Sequence, residues 1–493
     1  MSEDNCPIRE LGSDFYDVVE PATFPKHILR FRNDRWAARV GLDGLSDQEW
    51  LTHFARFEPL PDNLSEPLAL RYHGHQFRNY NPNLGDGRGF LFAQLRDQKD
   101  DRLLDLGTKG SGQTPYSRRG DGRLTLKGGV REILATEMLE ARGVYTSKTF
   151  SLVETGEQLQ RHDEPSPTRS CVLVRLNHSH IRFGTFQRFA ALGEHDNVEK
   201  LLHYSVRHYY PHLAELPTEE KAAAFLRTVM QRTADLCAQW MAAGFVHGVL
   251  NTDNMNITGE SFDYGPWRFI PSIDASFTAA YFDHSGLYAY GRQPSACLWN
   301  IARLGECLLE IIDQDTVVDI TQEYEKLVTR CMAKRFLDML GLSSAGIDHD
   351  EKTFATAIHF LEETGMSYAR FLYDWFAGVE SKDRALNGSA GHKYTGAAFD
   401  EFLSQLQEHP ATNPGALDDP YFQRDEPLDM VIETMESLWD PIDQHDDWSA
   451  LEDAVARIRH VGALYGHNPS DDPQWLPSKD WMLGGTGEDS GED

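Results

Sequence analysis

The stretch FVHGVLNTDNMNITGESFDYGP, Phe245 to Pro266, gathers side chains able to hold a cation and take up a proton. Asp253 and Asn254 stand side by side, and Asp263 follows in Asp263-Tyr264-Gly265. A carboxylate beside an amide oxygen suits Mg²⁺ or Mn²⁺, both of which prefer oxygen ligands. Well upstream, Gly85-Asp86-Gly87-Arg88-Gly89 can bring backbone N–H groups close to a phosphate, with Arg88 as a forked cation for its oxygens. Taken alone, that segment reads more simply as a tight turn. Lys109, followed by Gly110-Ser111-Gly112, and the loop Tyr116-Ser117-Arg118-Arg119-Gly120-Asp121-Gly122-Arg123 add positive charge. Arg175 and Arg182 bracket the polar run LNHSHI. Any one of these cations reads as a solvated surface residue; together they supply what a nucleotide triphosphate requires. His73 and His75 in YHGHQF lack a further ligand at metal spacing and read as packed, hydrogen-bonded histidines.

Short strands must carry the upstream groups. FLFAQLRD (Phe90 to Asp97) and RLLDLGTK (Arg102 to Lys109) read as a hairpin joined by QKDD. SLVETGEQLQ (Ser151 to Gln160) and SCVLVRLN (Ser170 to Asn177) read as a second. Between them Val130, Ile133, Leu134, Met138 and Ala141 follow helical spacing over Val130 to Arg142, and Gly143 supplies the stop. A shorter helical pattern covers Asp47 to Phe57. After about Phe186 the chain turns helical, with long amphipathic segments over Ala222 to Ala243 and Ala296 to Ile312. The region from about Asp383 onward has a weaker pattern.

In kinase-like folds a strand lysine pairs nucleotide phosphates and is held by a glutamate from the following helix. That helix offers Glu132 and Glu137; Glu137 lies near the apolar face and Glu132 away from it, so the pattern leaves both open. His247-Gly248 matches the start of the kinase catalytic loop, Asn254 falls at its metal position, and Asp263 at the second metal ligand. Val249 occupies the place of the kinase base and cannot accept a proton. Either the chain binds nucleotide without chemistry, or the base has moved and the chemistry differs. The expected fold is α+β: a bilobal protein-kinase-like arrangement with a strand-rich N-lobe over 71–185 and a helical C-lobe over 186–475. The catalytic and metal loop is 245–266, with an N-terminal extension over 1–70 and an acidic tail over 476–493.

With 47 basic against 77 acidic residues, a net charge of −30, most of the surface would repel DNA or RNA, so nucleic acid is not expected as a partner. Six scattered cysteines (Cys6, Cys171, Cys237, Cys297, Cys307, Cys331) form neither a disulfide framework nor a zinc signature and fit a reducing compartment. MSEDNCPIREL has no signal-peptide pattern, and no apolar run is long enough to span a bilayer. The expectation is a cytoplasmic protein.

Several segments together resemble the selenoprotein O family, pseudokinase-fold protein adenylyltransferases. They are YHGHQF at Tyr72, LGDGRG at Leu84, KGSGQTPYSRRGDGR at Lys109, REILATEM at Arg131, VRLNHSHIRFGTF at Val174, HGVLNTDNMNI at His247 with FDYGP, and GRQPSACLWNIARL at Gly291. They run in order through roughly half the chain, and the long ones are far more specific than a lone Gly-rich loop. The resemblance implies nucleotide contacts at Gly85, Gly87, Arg88, Lys109, Asp121, Gly122, Arg175 and Arg182. It implies an ion-pair glutamate at Glu132, a base at Asp253, and metal ligands at Asn254 and Asp263, with Asp263 also facing the nucleotide. It further implies Mg²⁺ or Mn²⁺, and ATP bound in reverse relative to kinases. AMP then passes to Ser, Thr or Tyr hydroxyls of proteins, self-modification included, and pyrophosphate leaves; some bacterial members are associated with UMP transfer. RNYNPNLGDGRG departs from the family's usual segment while keeping the nucleotide-contacting letters. The C-terminal third matches poorly, and the cysteine or selenocysteine found near many family C-termini is missing, so no redox switch through it is expected. The rival readings are a γ-phosphotransferase, against which Val249 speaks, and a nucleotide-binding scaffold without catalysis.

Overall fold

A computed structural model describes residues 6–162 and 164–467. The expected acidic tail over 476–493 lies outside the described residues. The fold is mixed α/β, built on an antiparallel sheet. Its early strands are β1 (Tyr16–Val18), β2 (Ile28–Arg32) and β3 (Leu68–Leu70), followed by a separate small hairpin of β4 (Gly74–Gln76) and β5 (Asn79–Asn81). Then come β6 (Leu91–Arg96), β7 (Leu103–Lys109), β8 (Leu124–Thr125), β9 (Lys148–Leu159) and β10 (Thr168–Asn177). The eight-stranded sheet runs β1-β3-β6-β7-β10-β9-β2, with β8 also paired to β10. Both expected hairpins are present: β6 pairs with β7 and β9 with β10.

Period-two alternation divides these strands between two cores. On β10, Cys171 and Leu173 face one core, which contains Val130, Ile133 and Leu134 of the helix Leu126–Ala141. Val172, Val174 and Leu176 face the other, built with Trp36, Trp50 and Phe54. Both sheet faces are therefore covered, and β7 is buried along its whole length. The first 70 residues do more than extend the fold: they supply three of the eight strands and the aromatic cover of the second face.

The helix Leu126–Ala141 begins four residues earlier than its apolar pattern suggests, because Thr125 caps it by accepting from Gly128 N at 3.1 Å. The helix Asp47–Phe54 is closed at its start by a capping box between Ser46 and Glu49. It stops short of Phe57, whose φ of 59° lies in the left-handed region. Beyond residue 183 helices dominate. Thr218–Ala243 is terminated by the left-handed Gly244, and Gln293–Glu306 ends before the expected Ile312. Tyr324–Met339, Ile347–Thr364 and Ala397–Leu406 share a further core around Phe336, Phe360, Phe371 and Phe402. A two-stranded ribbon of β11 (Phe245–Val246) and β12 (Arg268–Phe269) brackets the loop expected to carry the chemistry. Among the described residues no helix is long and apolar enough to cross a membrane.

Candidate active site

One cavity of about 730 Å³ opens between the sheet and the β11–β12 loop. Its lining includes Gly85, Gly87, Arg88, Lys109, Asp121, Gly122, Arg175, Arg182, Asp253 and Asp263, groups spread over nearly 180 positions of sequence. Glu132 and Asn254 stand just behind this lining, each bonded to one of its members.

Antiparallel pairing puts two cations next to each other: Lys109 ends β7, and Arg175 on β10 sits opposite Gly107. Both reach the carboxylate of Asp263, Lys109 Nζ at 3.2 Å and Arg175 Nη1 at 3.1 Å from Oδ1. Arg182 Nη1 lies 3.5 Å from Oδ2, and Asn254 Nδ2 donates to the same oxygen at 3.1 Å. Burial would raise the Asp263 carboxyl, but Lys109, Arg175, Arg182 and Arg88 together hold it well below the usual carboxylate range. Asp263 keeps a φ of 67°, a left-handed conformation that costs energy for a residue with a Cβ and persists only where its surroundings fix it. His247 helps to fix them: its Nε2 bonds the Phe262 carbonyl at 2.9 Å.

The two glutamates that the helical pattern left open have different partners. Glu132 forms a buried ion pair with Lys109, whereas Glu137 turns away to Arg459.

Asp253 lies in the short turn Thr252–Asn254, is 8% exposed, and its Oδ1 has no hydrogen-bond partner. Burial pushes its carboxyl up to about 6 against the pull of Arg182. Arg182 lies between the rings of Tyr72 and Phe262, 4.5 and 4.8 Å from their centroids, and reaches Asp86 at 3.4 Å. Neighbouring Thr252 accepts from His75 N at 2.7 Å and donates to Gln187 Oε1 at 2.5 Å. His75 also meets Gln187 through Nδ1 at 2.9 Å, and His73 bonds Tyr80 and Arg188, so the histidine pair supports the site by packing.

Packing demands glycine at position 85. A Cβ there would fall 2.3 Å from Cγ of Tyr116, so glycine lets the basic loop close over the Gly-rich one. Ser117 Oγ then donates to the Gly87 carbonyl at 2.5 Å. At the rim Asp121 is gripped by Arg161, at 2.8 and 3.1 Å. Residue type and spacing give Tyr72, Asp86 and Arg161 no role of their own. The first two lie inside the YHGHQF and LGDGRG motifs, while Arg161 sits in a polar loop that gives no signal.

As donors for a divalent cation the site offers two carboxylates, Asp253 and Asp263, and the Asn254 amide. Among the described residues no group of three His, Cys, Asp or Glu could hold a metal unaided. Mg²⁺ is commonly held by one or two carboxylates, with nucleotide phosphates and water completing the shell, so this donor set fits such an ion.

A family model described as protein adenylyltransferase SelO matches residues 3–459. The chain is 42% identical over 474 residues to a protein nucleotidyltransferase YdiU of Synechocystis sp., covering 92% of this chain and 97% of that one. It is 44% identical over 476 residues to the protein of that name from Trichormus variabilis, with 92% and 95% covered. A third, from Gloeobacter violaceus, is 44% identical over 469 residues, with 92% and 94% covered. The chain belongs to the SelO family, and it is a nucleotidyltransferase. The family match reaches far into the C-terminal third that the short motifs left unmatched.

Proposed function

We propose that this protein moves AMP from ATP to Ser, Thr or Tyr hydroxyls of proteins, with Mg²⁺ or Mn²⁺ as its cation and release of pyrophosphate. The observation that carries the reading is the convergence of Lys109, Arg175 and Arg182 on Asp263, in a cavity shared with a buried carboxylate at Asp253. In this reading residues 71–185 and 186–475 act as the two lobes of a kinase-like fold, completed by residues 1–70, and the enzyme works in the cytoplasm.

Asn254 and Asp263 would hold the divalent ion, which when bound supplies neutralising charge for the phosphates. Glu132 keeps Lys109 extended toward the cavity. Gly85, Gly87 and Gly122, whose Cβ positions are taken by Tyr116 and Gly112, let the loops close so that backbone N–H groups can face phosphate oxygens, with Arg88 as their cation and Asp121 at the rim. Asp253 accepts the proton of the acceptor hydroxyl, whose oxygen forms a bond to the α-phosphorus. The α-phosphorus bond to the β-phosphate oxygen breaks, and pyrophosphate leaves with its charge met by Lys109, Arg175 and Arg182. Binding with the α-phosphate toward Asp253 and the outer phosphates toward the arginines explains how transfer proceeds with Val249 at the kinase-base position.

Incubating the protein with Mg²⁺ or Mn²⁺ and ATP labelled at either the α- or the γ-phosphate tests this reading. The expected result is protein-bound label from the α position alone, absent in Asp263→Ala. Label from the γ position identifies a γ-phosphotransferase, and metal-dependent binding with no label on any added acceptor identifies a scaffold. The relatives' names specify a nucleotidyl group without naming the base, so competition by UTP in the same assay decides between AMP and UMP as the transferred group.

A further inference from the structure

The face of the Leu126–Ala141 helix turned away from Lys109 carries buried charge that the proposed reaction leaves unexplained. At 3.6 residues per turn, Glu137 lies about 140° around the helix from Glu132. Glu137 is buried, and it accepts from Arg459 Nε at 2.7 Å and Nη2 at 2.5 Å, across 322 residues of chain. Arg459 belongs to the helix Ser449–Leu464, whose Leu451, Val455 and Ile458 join the core that holds Val130, Ile133 and Met138. The two helices touch backbone to backbone: a Cβ on Gly462 would lie 2.8 Å from the Cα of Ala141. At the other end, Lys127 pairs at 2.6 Å with Glu436 of the helix Ile432–His445.

We propose that Arg459 is a positioning residue for nucleotide transfer, acting through Glu137 to fix the rotation and height of the helix that presents Glu132 to Lys109. The inference rests on Lys109 being a phosphate-binding cation. A bidentate guanidinium–carboxylate pair fixes geometry as well as charge. Arg35 Nη2, 3.5 Å from the Glu137 carboxylate, meets part of its charge without supplying that geometry. The consequence reaches the cavity directly. Lys109 already lies 3.2 Å from Asp263, so a helix that drifts and withdraws Glu132 leaves Lys109 to settle on the carboxylate needed for the metal. The last two helices of the described chain thereby hold the site in its nucleotide-binding arrangement.

The test uses the full-length protein, with the affinity for a fluorescent ATP analogue and α-label transfer as readouts. Arg459→Ala is expected to weaken both by roughly 10–100-fold, the usual cost of losing an outer partner of a functional group. Arg459→Lys should restore part of the loss. Repeating Arg459→Ala in a Glu132→Gln background should then add little, because the effect travels through Glu132. A folded Arg459→Ala protein with unchanged affinity overturns the inference, and so do effects of Arg459→Ala and Glu132→Gln that multiply in full. Should Arg459→Ala not fold, as judged by circular dichroism, the cycle is run with Arg459→Lys and read by the same rule. Wild-type protein that binds the analogue and shows the coupling without transferring label refutes the transferase reading and leaves the Arg459 inference standing.

Discussion

Arg182 donates from Nη1 to the backbone carbonyl of Asp253 at 2.7 Å, although 71 residues separate them. One guanidinium thus places the proposed base and also reaches toward Asp263, the proposed metal ligand. Lysine keeps the charge but cannot make both contacts from between two aromatic rings. Arg182→Lys is therefore expected to lower kcat by about 10²-fold, the cost of a small misplacement of reacting groups. Steady-state rates at saturating ATP check it.

Asp253→Asn removes the proton acceptor while preserving shape. Transfer should fall by about 10²–10⁴-fold with nucleotide affinity retained, the range expected for a positioned base. Single-turnover transfer and equilibrium binding, measured on the same protein, separate the two effects.

Asp263→Asn takes away the carboxylate on which Lys109, Arg175 and Arg182 converge. ATP alone should still raise the melting temperature through the cations, but the extra shift given by Mg²⁺ or Mn²⁺ should disappear. Melting curves with ATP, with and without divalent cation, decide it; an undiminished metal effect would rule Asp263 out as a ligand.

Glu260 gives a pH-dependent prediction outside the cavity. Burial pushes its carboxyl from 4.5 up to about 7, against the pull of Lys148, although it accepts from His178 N at 2.9 Å and Asn177 Nδ2 at 3.3 Å. The folded state holds this proton more tightly than the unfolded chain. Its contribution is therefore complete below pH 4.5 and is lost as pH rises through about 7. Glu260→Gln keeps an acceptor oxygen and cannot ionise. Its stability relative to wild type should rise between pH 5 and pH 8, by up to about 3 kcal/mol at roughly 1.4 kcal/mol per unit. Chemical denaturation at the two pH values measures the difference.

The sequence made the central strands and the glutamate helix legible, because alternation in SCVLVRLN and three-to-four spacing from Val130 to Ala141 report burial directly. It also marked the individual cations. It did not separate Glu132 from Glu137, since both are buried and only their partners, Lys109 and Arg459, distinguish them. Nor did it show that Trp36 and Trp50 cover the sheet's second face, because long-range packing leaves no local periodicity. Arg161 carries no local signal for the same reason: its worth depends on Asp121, forty residues away.

Both edges of the large sheet are made of the chain's first strands. β1 pairs with β3, and β2 with β9, whose residues lie more than a hundred positions later. During synthesis β2 must therefore wait, unpaired and flanked by Trp36 and Trp50, until β9 has left the ribosome. Such non-local closure is slow and exposes apolar surface in the interval. Until β9 arrives, β2 is an open edge able to pair with another chain, so crowding of half-made copies is the hazard this topology carries.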